Sequence, residues 1–253
     1  MAALRERLSY ARSLCVTAPL IFIVTGVMGS LSLAASLMDS SGRIQSRCAR
    51  FWADLVLVIC RVRLKVSGGR TFDPNVPYVF FVNHQSHIDI PIVIAAIPLP
   101  FRFAAKKELF RIPFLGWHLR RSGHIPVDRK NPHGAVRSFR SANARLRTGT
   151  SMVFFPEGAT SPDGSIKAFK GGGFALAERS EAEVVPVTIR GSRAILPPRT
   201  YHVRGGPVEV TIGDPIPSKG SSLRELTARV RTEILSVFQN GETQDRNTHT
   251  ISR

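Results

Sequence analysis

The amino-acid sequence predicts an α/β protein: a largely parallel mixed sheet covered by helices, preceded by a membrane-associated helical segment at the N-terminus. From residue 76 onward, short apolar runs alternate with stretches that have the length and spacing of helices. Such alternation is typical of parallel strands joined by helical connections. Ahead of this pattern, the range from Leu14 to Met38 holds 25 residues without a charge. These observations divide the chain into a helical region at 1–60, an α/β domain at 61–239 and a disordered tail at 240–253.

The uncharged segment is the first predicted element. It exceeds the roughly 20 residues that span the hydrocarbon core of a bilayer as a helix. A signal peptide is the alternative, because basic residues precede the segment, although its apolar part is longer than the usual stretch of about 7–15 residues. Arginines lie on both sides of the segment. The charge distribution therefore gives no orientation, and a hairpin that dips into the membrane is an alternative to a full span.

The second element is the stretch RIQSRCARFWADLVLVICRVRLKV, residues 43–66. Its apolar residues recur near a helical period, and arginines lie between them. This pattern predicts an amphipathic helix, which lies at the membrane interface or packs on the protein core; periodicity does not separate the two.

The remaining elements belong to the α/β domain. Strands are predicted at residues 78–82, 101–105, 124–127, 151–155, 183–189 and 208–212. Helices are predicted near residues 90–97, 107–120, 133–147, 172–180 and 221–238. Residues 192–207, rich in proline, glycine and arginine, are predicted to form a long connection.

The composition limits the partners and the chemistry. The chain has 35 Lys+Arg against 18 Asp+Glu, a formal net charge of +17, which favours nucleic acid, anionic lipid headgroups or phosphorylated small molecules. Three cysteines without a CxxC motif favour a reduced, cytosol-facing setting. The GxSxG, GxxxxGK[ST], HExxH and GxGxxG motifs are missing, so serine-hydrolase, phosphate-loop, zincin and dinucleotide-binding chemistry have no motif to support them.

The segment FFVNHQSHIDIP, Phe80 to Pro91, combines several reactive side chains. In a regular helix, residues five apart point about 140° away from each other. His84 and Asp89 therefore meet only if His84 lies in the turn before the helix that holds Asp89. Pro91 favours a helix start just ahead of it, and the predicted strand at 78–82 would place His84 at a strand's C-terminal end, where α/β sheets bind ligands.

Three roles remain open for these residues at this point. A carboxylate bonded to one ring nitrogen of His84 would fix its tautomer, while the other nitrogen accepts a proton from a hydroxyl. Alternatively, the SHID sequence from Ser86 fits a helix-capping pattern in which Asp89 only caps. A metal held by His84, His87 and Asp89 is the third role, although no second ligand cluster has clear spacing.

Polar residues also follow three other predicted strands. They occur in GHIPVDR, FFPEGATSPDG and VVPVTIRGS, which begin at Gly123, Phe154 and Val184. Strand ends of this kind assemble the binding site of an α/β protein. The alternatives are a surface salt bridge for Arg129 and a simple turn for Glu157 and its neighbouring glycine.

Taken in order, NHQSHID, GHIPVDR, FPEGATS and VVPV resemble the four sequence blocks of the glycerolipid acyltransferase family, specifically the bacterial lysophosphatidate acyltransferases. The stretch AAKKELFRIPFLGW, residues 104–117, is similar to the family's segment between the first and second blocks. The resemblance implies that a lysolipid hydroxyl attacks the thioester of acyl-CoA or acyl-carrier protein, without a metal or other cofactor. In the NHx4D block, His84 would be the general base and Asp89 its orienting partner.

The resemblance also implies partners, location and binding residues. The partners are a lysolipid, an acyl thioester and the bilayer, with acyl-carrier protein as an alternative donor and no nucleic acid. The location is the cell membrane, with the catalytic domain facing the cytoplasm. The predicted substrate-binding residues are Arg129, Glu157, Gly158, Lys106, Lys167 and Lys170. Two belong to the family's acceptor-binding block, and the basic four suit phosphate groups.

One departure from the family pattern concerns the acceptor. The third block usually reads EGTR, whereas Ala159 and Thr160 follow Glu157 and Gly158 here. The usual guanidinium is absent, so another lysolipid, such as a lyso-ornithine lipid or a molecule like lysophosphatidylcholine, is an alternative to lysophosphatidate. Two alternatives of other classes are a metal-dependent hydrolase and a basic, membrane-tethered lipid-binding module.

Overall fold

The computed structural model describes residues 2–37, 42–69, 72–128 and 132–250. Within these residues one sheet has seven strands, in the order β1-β7-β6-β2-β5-β3-β4. The strands are β1 (Val62–Gly68), β2 (Tyr78–Val82), β3 (Phe101–Lys106), β4 (Ile125–Val127), β5 (Ser151–Phe154), β6 (Glu183–Arg190) and β7 (Gly206–Ile212). All neighbours pair in parallel except β6 and β7, which are antiparallel. The predicted class, a largely parallel mixed sheet, is confirmed.

The six predicted strands are confirmed, and the sequence interpretation missed the seventh. Strand β1 lies at the end of the stretch that the helical period assigned to one amphipathic helix. The helix ends at Ile59, and Arg61 adopts a positive φ of 55° before the strand begins. Residues 61–66 alternate charged and apolar side chains, the period of a strand, and the pairing with β7 stabilises that conformation.

Helices cover the sheet. They are α1 (Ala2–Arg12), α2 (Ala18–Ala35), α3 (Arg43–Ile59), α4 (Asp89–Ala96), α5 (Leu115–Arg121), α6 (Pro132–Arg147), α7 (Gly172–Ser180), α8 (Ser192–Ile195) and α9 (Leu223–Thr250). The predicted helix at 107–120 is interrupted, because Pro113 forces Ile112 into an extended conformation between a 3₁₀ helix, Lys107–Arg111, and α5. Helix α9 continues to Thr250, where the sequence predicts a disordered tail from residue 240. The domain boundaries stay a prediction.

The N-terminal region is one long helix that rests on the α/β domain. Helices α1 and α2 join through a π-helical turn, Ser13–Thr17, and Leu4–Ala35 is long and apolar enough to cross a membrane by length and composition. The helix also bonds to the domain, since Ser13 Oγ donates to Val203 O (3.1 Å). Helix α2 packs against α3, where Trp52 Nε1 donates to Thr25 Oγ1 (3.0 Å).

Strand β2 positions the site. All five of its residues are buried, because the sheet carries a hydrophobic core on each face. Tyr78, Phe80 and Val82 face the core shared with α3 and α4. Val79 and Phe81 face the core shared with α6, α7 and α9. The segment from residue 83 onward therefore follows a strand that is buried on both faces at the centre of the sheet.

Candidate active site

His84 lies directly beyond the C-terminal end of β2, as predicted. The preceding Asn83 is fully buried, and its amide exchanges two hydrogen bonds with the backbone of Ile189 on β6, at 2.9 and 2.7 Å. This pair locks the strand end to its neighbour. His84 itself precedes helix α4, which begins at Asp89, so the predicted placement outside the helix is confirmed.

The carboxylate of Asp89 meets the imidazole of His84. Nδ1 of His84 lies 2.9 Å from Oδ2 of Asp89, whose side chain is fully buried. The same Oδ2 also accepts the backbone N–H groups of Gln85 (2.7 Å) and Ser86 (2.8 Å). A carboxylate only accepts, so His84 donates from Nδ1, and Nε2 is left as the proton-accepting nitrogen.

Oδ2 of Asp89 both caps the helix start and orients the His84 ring. Asp89 reaches back to the backbone N–H of Ser86, as the fourth residue of a capping box does. Ser86 Oγ accepts from Ile88 N (3.3 Å) and donates to Leu196 O (2.6 Å), so it anchors the turn to the segment after α8. The helix start therefore builds the turn that holds the carboxylate against His84.

An aromatic face supports the His84 ring. The ring stacks on Phe155 with a centroid distance of 4.1 Å, and Phe155 in turn lies nearly parallel to Phe103 at 6.2 Å. The His84 side chain is only 13% exposed. Sequence reasoning gave no signal for Phe155 or Phe103, because both sit in ordinary apolar strand runs. It also missed the tether made by Asn83, although that residue stands inside the quoted motif.

Glu157 bonds to the backbone of His84 from the end of β5. Its Oε1 accepts the N–H of His84 (2.7 Å), and its Oε2 accepts the N–H of Lys167 (3.0 Å). The side chain is 5% exposed, and burial raises the pKa of the carboxyl, against the lowering effect of these two N–H donors. Glu157 therefore ties the turn of His84 to the loop of Lys167. A direct contact with substrate stays a prediction.

The basic residues predicted to bind substrate fall in different places. Lys170 lies beside the third block: a Cβ on Gly158, whose φ is +79°, would lie 2.8 Å from Lys170 Nζ. Lys167 is exposed on the loop that Glu157 holds. Lys106 lies on the surface with its side chain 60% exposed, 4.0 Å from Glu108. Arg129 lies outside the described residues.

Several buried polar atoms near His84 have no partner in the described part of the chain. They are Oδ1 of Asp89 and both amide atoms of Gln85. No group of three or more His, Cys, Asp or Glu side chains among the described residues is placed to hold a metal ion. His87, the third member of the metal hypothesis, is exposed.

A cavity of about 920 Å³ lies between helices α2 and α3, strand β3 and helix α5. Its wall includes Phe103, the outer ring of the stack that begins at His84. Ile90, the residue after Asp89, lines the same cavity. Phe103 and Ile90 therefore connect this cavity to the neighbourhood of the His84–Asp89 pair.

The chain is similar in sequence to a family of known proteins. The family model described as Acyltransferase matches residues 63–190. The chain is 31% identical over 188 residues to the chloroplastic 1-acyl-sn-glycerol-3-phosphate acyltransferase LPAT1 of Arabidopsis thaliana, covering 74% of this chain and 52% of the relative. It is 30% identical over 189 residues to 1-acyl-sn-glycerol-3-phosphate acyltransferase alpha of Homo sapiens, covering 73% of this chain and 67% of the relative. The chain thus spans about half the length of the Arabidopsis relative.

A solved structure shares the fold. The crystal structure of the 1-acyl-sn-glycerophosphate (LPA) acyltransferase PlsC from Thermotoga maritima superimposes with a TM-score of 0.80. The superposition covers 96% of this chain and 98% of that chain, at 24% sequence identity. The likeness extends over the N-terminal helices as well as the sheet.

Proposed function

The chain belongs to the acyltransferase family, and from that premise we propose that it moves a fatty acyl group from acyl-CoA or acyl-carrier protein to the free hydroxyl of a lysolipid. The leading acceptor is lysophosphatidate, which becomes phosphatidate. The observation that carries the proposal is the 2.9 Å contact between His84 Nδ1 and Asp89 Oδ2 at the C-terminal end of β2. The names of the relatives, 1-acyl-sn-glycerol-3-phosphate acyltransferases, support the acceptor.

The geometry supports a base-assisted acyl transfer. His84 Nε2 takes the proton of the acceptor hydroxyl while that oxygen attacks the thioester carbonyl, and Asp89 stabilises the imidazolium that forms. The tetrahedral intermediate then collapses: the carbon–sulfur bond breaks, the ester bond is complete, and His84 returns the proton to the thiolate. The reaction needs no metal or other cofactor in this proposal, because the acyl thioester is itself the activated co-substrate.

Recognition of the acceptor headgroup depends on the positive charge near the third sequence block, FPEGATS. Thr160 stands where the family usually has arginine, and the ammonium of Lys170 lies beside Gly158. We assign Lys170 to the acceptor phosphate, as a point charge in place of the missing guanidinium. Lysophosphatidate then remains the first acceptor to test, and a lyso-ornithine lipid the second. We place the enzyme at the cell membrane, with the catalytic domain facing the cytoplasm.

The test is thiol release from acyl-CoA and acyl-carrier protein, with a panel of lysolipids in detergent micelles. We expect lysophosphatidate to be the best acceptor. His84→Ala should lower activity on the order of 10²-fold or more, the range for removal of a positioned base. Asp89→Asn should lower it by a similar factor, because an amide can donate to Nδ1 and so favour the wrong tautomer.

His87→Ala is the matched control, since His87 lies in the same segment but is exposed. It should keep most of the activity. Near-wild-type turnover in His84→Ala would contradict the assignment of His84 as the general base. Salt-sensitive binding of anionic vesicles without any thiol release would favour the binding module, and loss of activity on chelation would favour the hydrolase.

A further inference from the structure

The third sequence block, FPEGATS, leads into a loop without regular secondary structure. This third-block loop, residues 158–165, lies directly against the turn that holds the candidate base. Gly158 opens the loop with a φ of +79°, a conformation that favours glycine. Ser161 is fully buried and donates its N–H to His84 O (2.9 Å). The two residues between Gly158 and Ser161, which include Thr160, are therefore held beside the candidate base.

Asp163 builds the turn at the far end of the third-block loop. Its Oδ1 accepts hydrogen bonds from Ser161 Oγ (2.9 Å), Ser165 N (3.0 Å) and Ser165 Oγ (2.8 Å). Ser161 Oγ in turn accepts the N–H of Gly164 (3.0 Å). The bonds from Ser165 and Ser161 lower the pKa of Asp163 to about 2, so the carboxylate keeps its charge at physiological pH. All of these bonds join residues of the loop to one another, so they shape the turn without fixing it to the rest of the fold.

Arg193 fixes that turn to the domain from outside the loop. Its Nη1 donates to Ser161 O (2.8 Å), and its Nη2 donates to Pro162 O (2.6 Å). The two bonds use both arms of the planar guanidinium, and a charged donor makes shorter and stronger hydrogen bonds than a neutral one. The side chain also runs beside Gly164, where a Cβ would lie 3.3 Å from Arg193 Cδ. Arg193 therefore clamps two successive carbonyls of the third-block loop.

Arg193 lies on α8, a short helix that is held at both ends. Gly191 precedes α8 with a φ of +86° and packs closely on the start of β7, since a Cβ there would lie 2.6 Å from Pro207 O. Leu196, the residue after α8, accepts a hydrogen bond from Ser86 Oγ through its carbonyl (2.6 Å). Helix α8 therefore contacts the turn ahead of α4 through Leu196 and the third-block loop through Arg193, so it ties the two sides of the site together.

Arg193 supplies most of the hydrogen bonds that hold the loop in place. Three such bonds join residues 159–165 to other described parts of the chain: one from Ser161 N to His84 O, and two from Arg193. Removal of the guanidinium leaves the single backbone bond to His84. A binding loop needs a rigid scaffold to keep its residues in place. The position of Thr160 relative to His84 therefore depends on Arg193.

We propose that Arg193 is a positioning residue for the acceptor lipid: its guanidinium holds the third-block loop in the position beside His84 at which the acceptor binds. This inference rests on the proposed function, because it assigns that loop to the acceptor. Arg193 acts through backbone carbonyls and makes no contact with the substrate. The His84–Asp89 pair has bonds of its own, so loss of Arg193 weakens acceptor binding and leaves the chemical step and the donor largely unaffected.

The first experiment measures thiol release while lysophosphatidate is varied at saturating acyl-CoA, and then while acyl-CoA is varied at saturating lysophosphatidate. Arg193→Met keeps an unbranched side chain and removes both donors. We expect the KM for lysophosphatidate to rise on the order of 10-fold, the range for loss of a hydrogen bond to a charged group. The KM for acyl-CoA and kcat should stay within about 3-fold of the wild type, because uniform acceptor binding is what is lost. Arg193→Lys keeps one charged donor and should lie between the two proteins.

The second experiment, hydrogen–deuterium exchange of the intact protein, tests the clamp without any substrate. Peptides that cover residues 158–166 should exchange faster in Arg193→Met than in the wild type, with Arg193→Lys between them, because the loop opens more often. Peptides from β2 and α4 should be unchanged, which also shows that the variant is folded. Arg63→Met is the control: it removes an exposed arginine from the edge strand β1, which β7 and β6 separate from β2, and should match the wild type in both experiments.

Wild-type exchange of the loop in Arg193→Met, or a fall in kcat with an unchanged KM for lysophosphatidate, would overturn the positioning role. A higher KM together with wild-type exchange would also overturn it, because Arg193 would then contact the acceptor directly. Thiol release by the wild type separates these failures from failure of the proposed function. Faster loop exchange in Arg193→Met, with no release by the wild type from any donor and acceptor, contradicts the proposed function and leaves the clamp standing.

Discussion

Replacing Glu157 with glutamine tests whether this carboxylate holds His84 in place. Both oxygens accept a backbone N–H, from His84 at 2.7 Å and from Lys167 at 3.0 Å, and the side chain is 5% exposed. An amide has one oxygen and one NH₂ group, so one buried donor would face another donor. We expect a loss of about 1–3 kcal/mol in the free energy of unfolding, the cost of leaving a buried donor unpaired. Burial of the charged carboxylate is unfavourable and raises the pKa of Glu157. The neutral amide avoids this cost, which offsets part of that loss.

Two measurements check this expectation. In thermal unfolding, 1 kcal/mol shifts the midpoint by roughly 2–4 °C for a protein of this size, so Glu157→Gln should unfold several degrees lower. Thiol release should fall on the order of 10-fold to 100-fold, because a displaced base loses its alignment. Glu183→Gln, a half-buried glutamate at the start of β6, is the control and should change neither. A Glu157→Gln protein with wild-type midpoint and wild-type activity would refute the positioning role.

Three further predictions concern packing, the strand end and pH. Gly173→Ala should destabilise the fold by about 1–3 kcal/mol, because its Cβ would lie 2.7 Å from the Phe81 ring, whereas Gly172→Ala, with nothing within 4 Å, should be neutral or stabilising in thermal unfolding. Asn83→Leu should cost about 2–5 kcal/mol in denaturant unfolding, since it leaves a donor and an acceptor of β6 unpaired. The folded-state pKa of His124 is lowered from 6.5, so only the unfolded chain takes up its proton as pH falls through 6.5. The unfolding free energy should therefore decrease from pH 7 to pH 5, and His124→Asn should flatten that slope.

The sequence predicted the features that depend on local periodicity. The six strands, the helix start near Pro91 and the placement of His84 ahead of the helix all follow from neighbours in the chain. Strand β1 was misassigned because an apolar helix runs directly into it, and pairing with β7, far along the chain, decides its conformation. Local signals carry no information about such a partner.

The contacts that hold the site in place were beyond sequence reasoning for the same reason. The bond between Glu157 and the His84 backbone joins residues 73 apart, and the bond between Asn83 and Ile189 joins residues 106 apart. The cavity depends on how α2, α3 and α5 pack against β3. Its lining residues are far apart in the sequence, and only the fold brings them around one space.

The distance along the chain between His84 and Asp89 has a consequence for how the site assembles. The two residues are five positions apart and close a short loop, and Asp89 accepts hydrogen bonds from two backbone amides within that loop. The entropy cost of loop closure grows with loop length, so this turn is among the least costly parts of the site to form. The hydrogen bonds of Asn83 and Glu157, which join residues far apart in the sequence, then orient a turn that has already formed. A change in the surrounding pocket can therefore alter what is bound without disrupting the turn that holds His84 and Asp89 together.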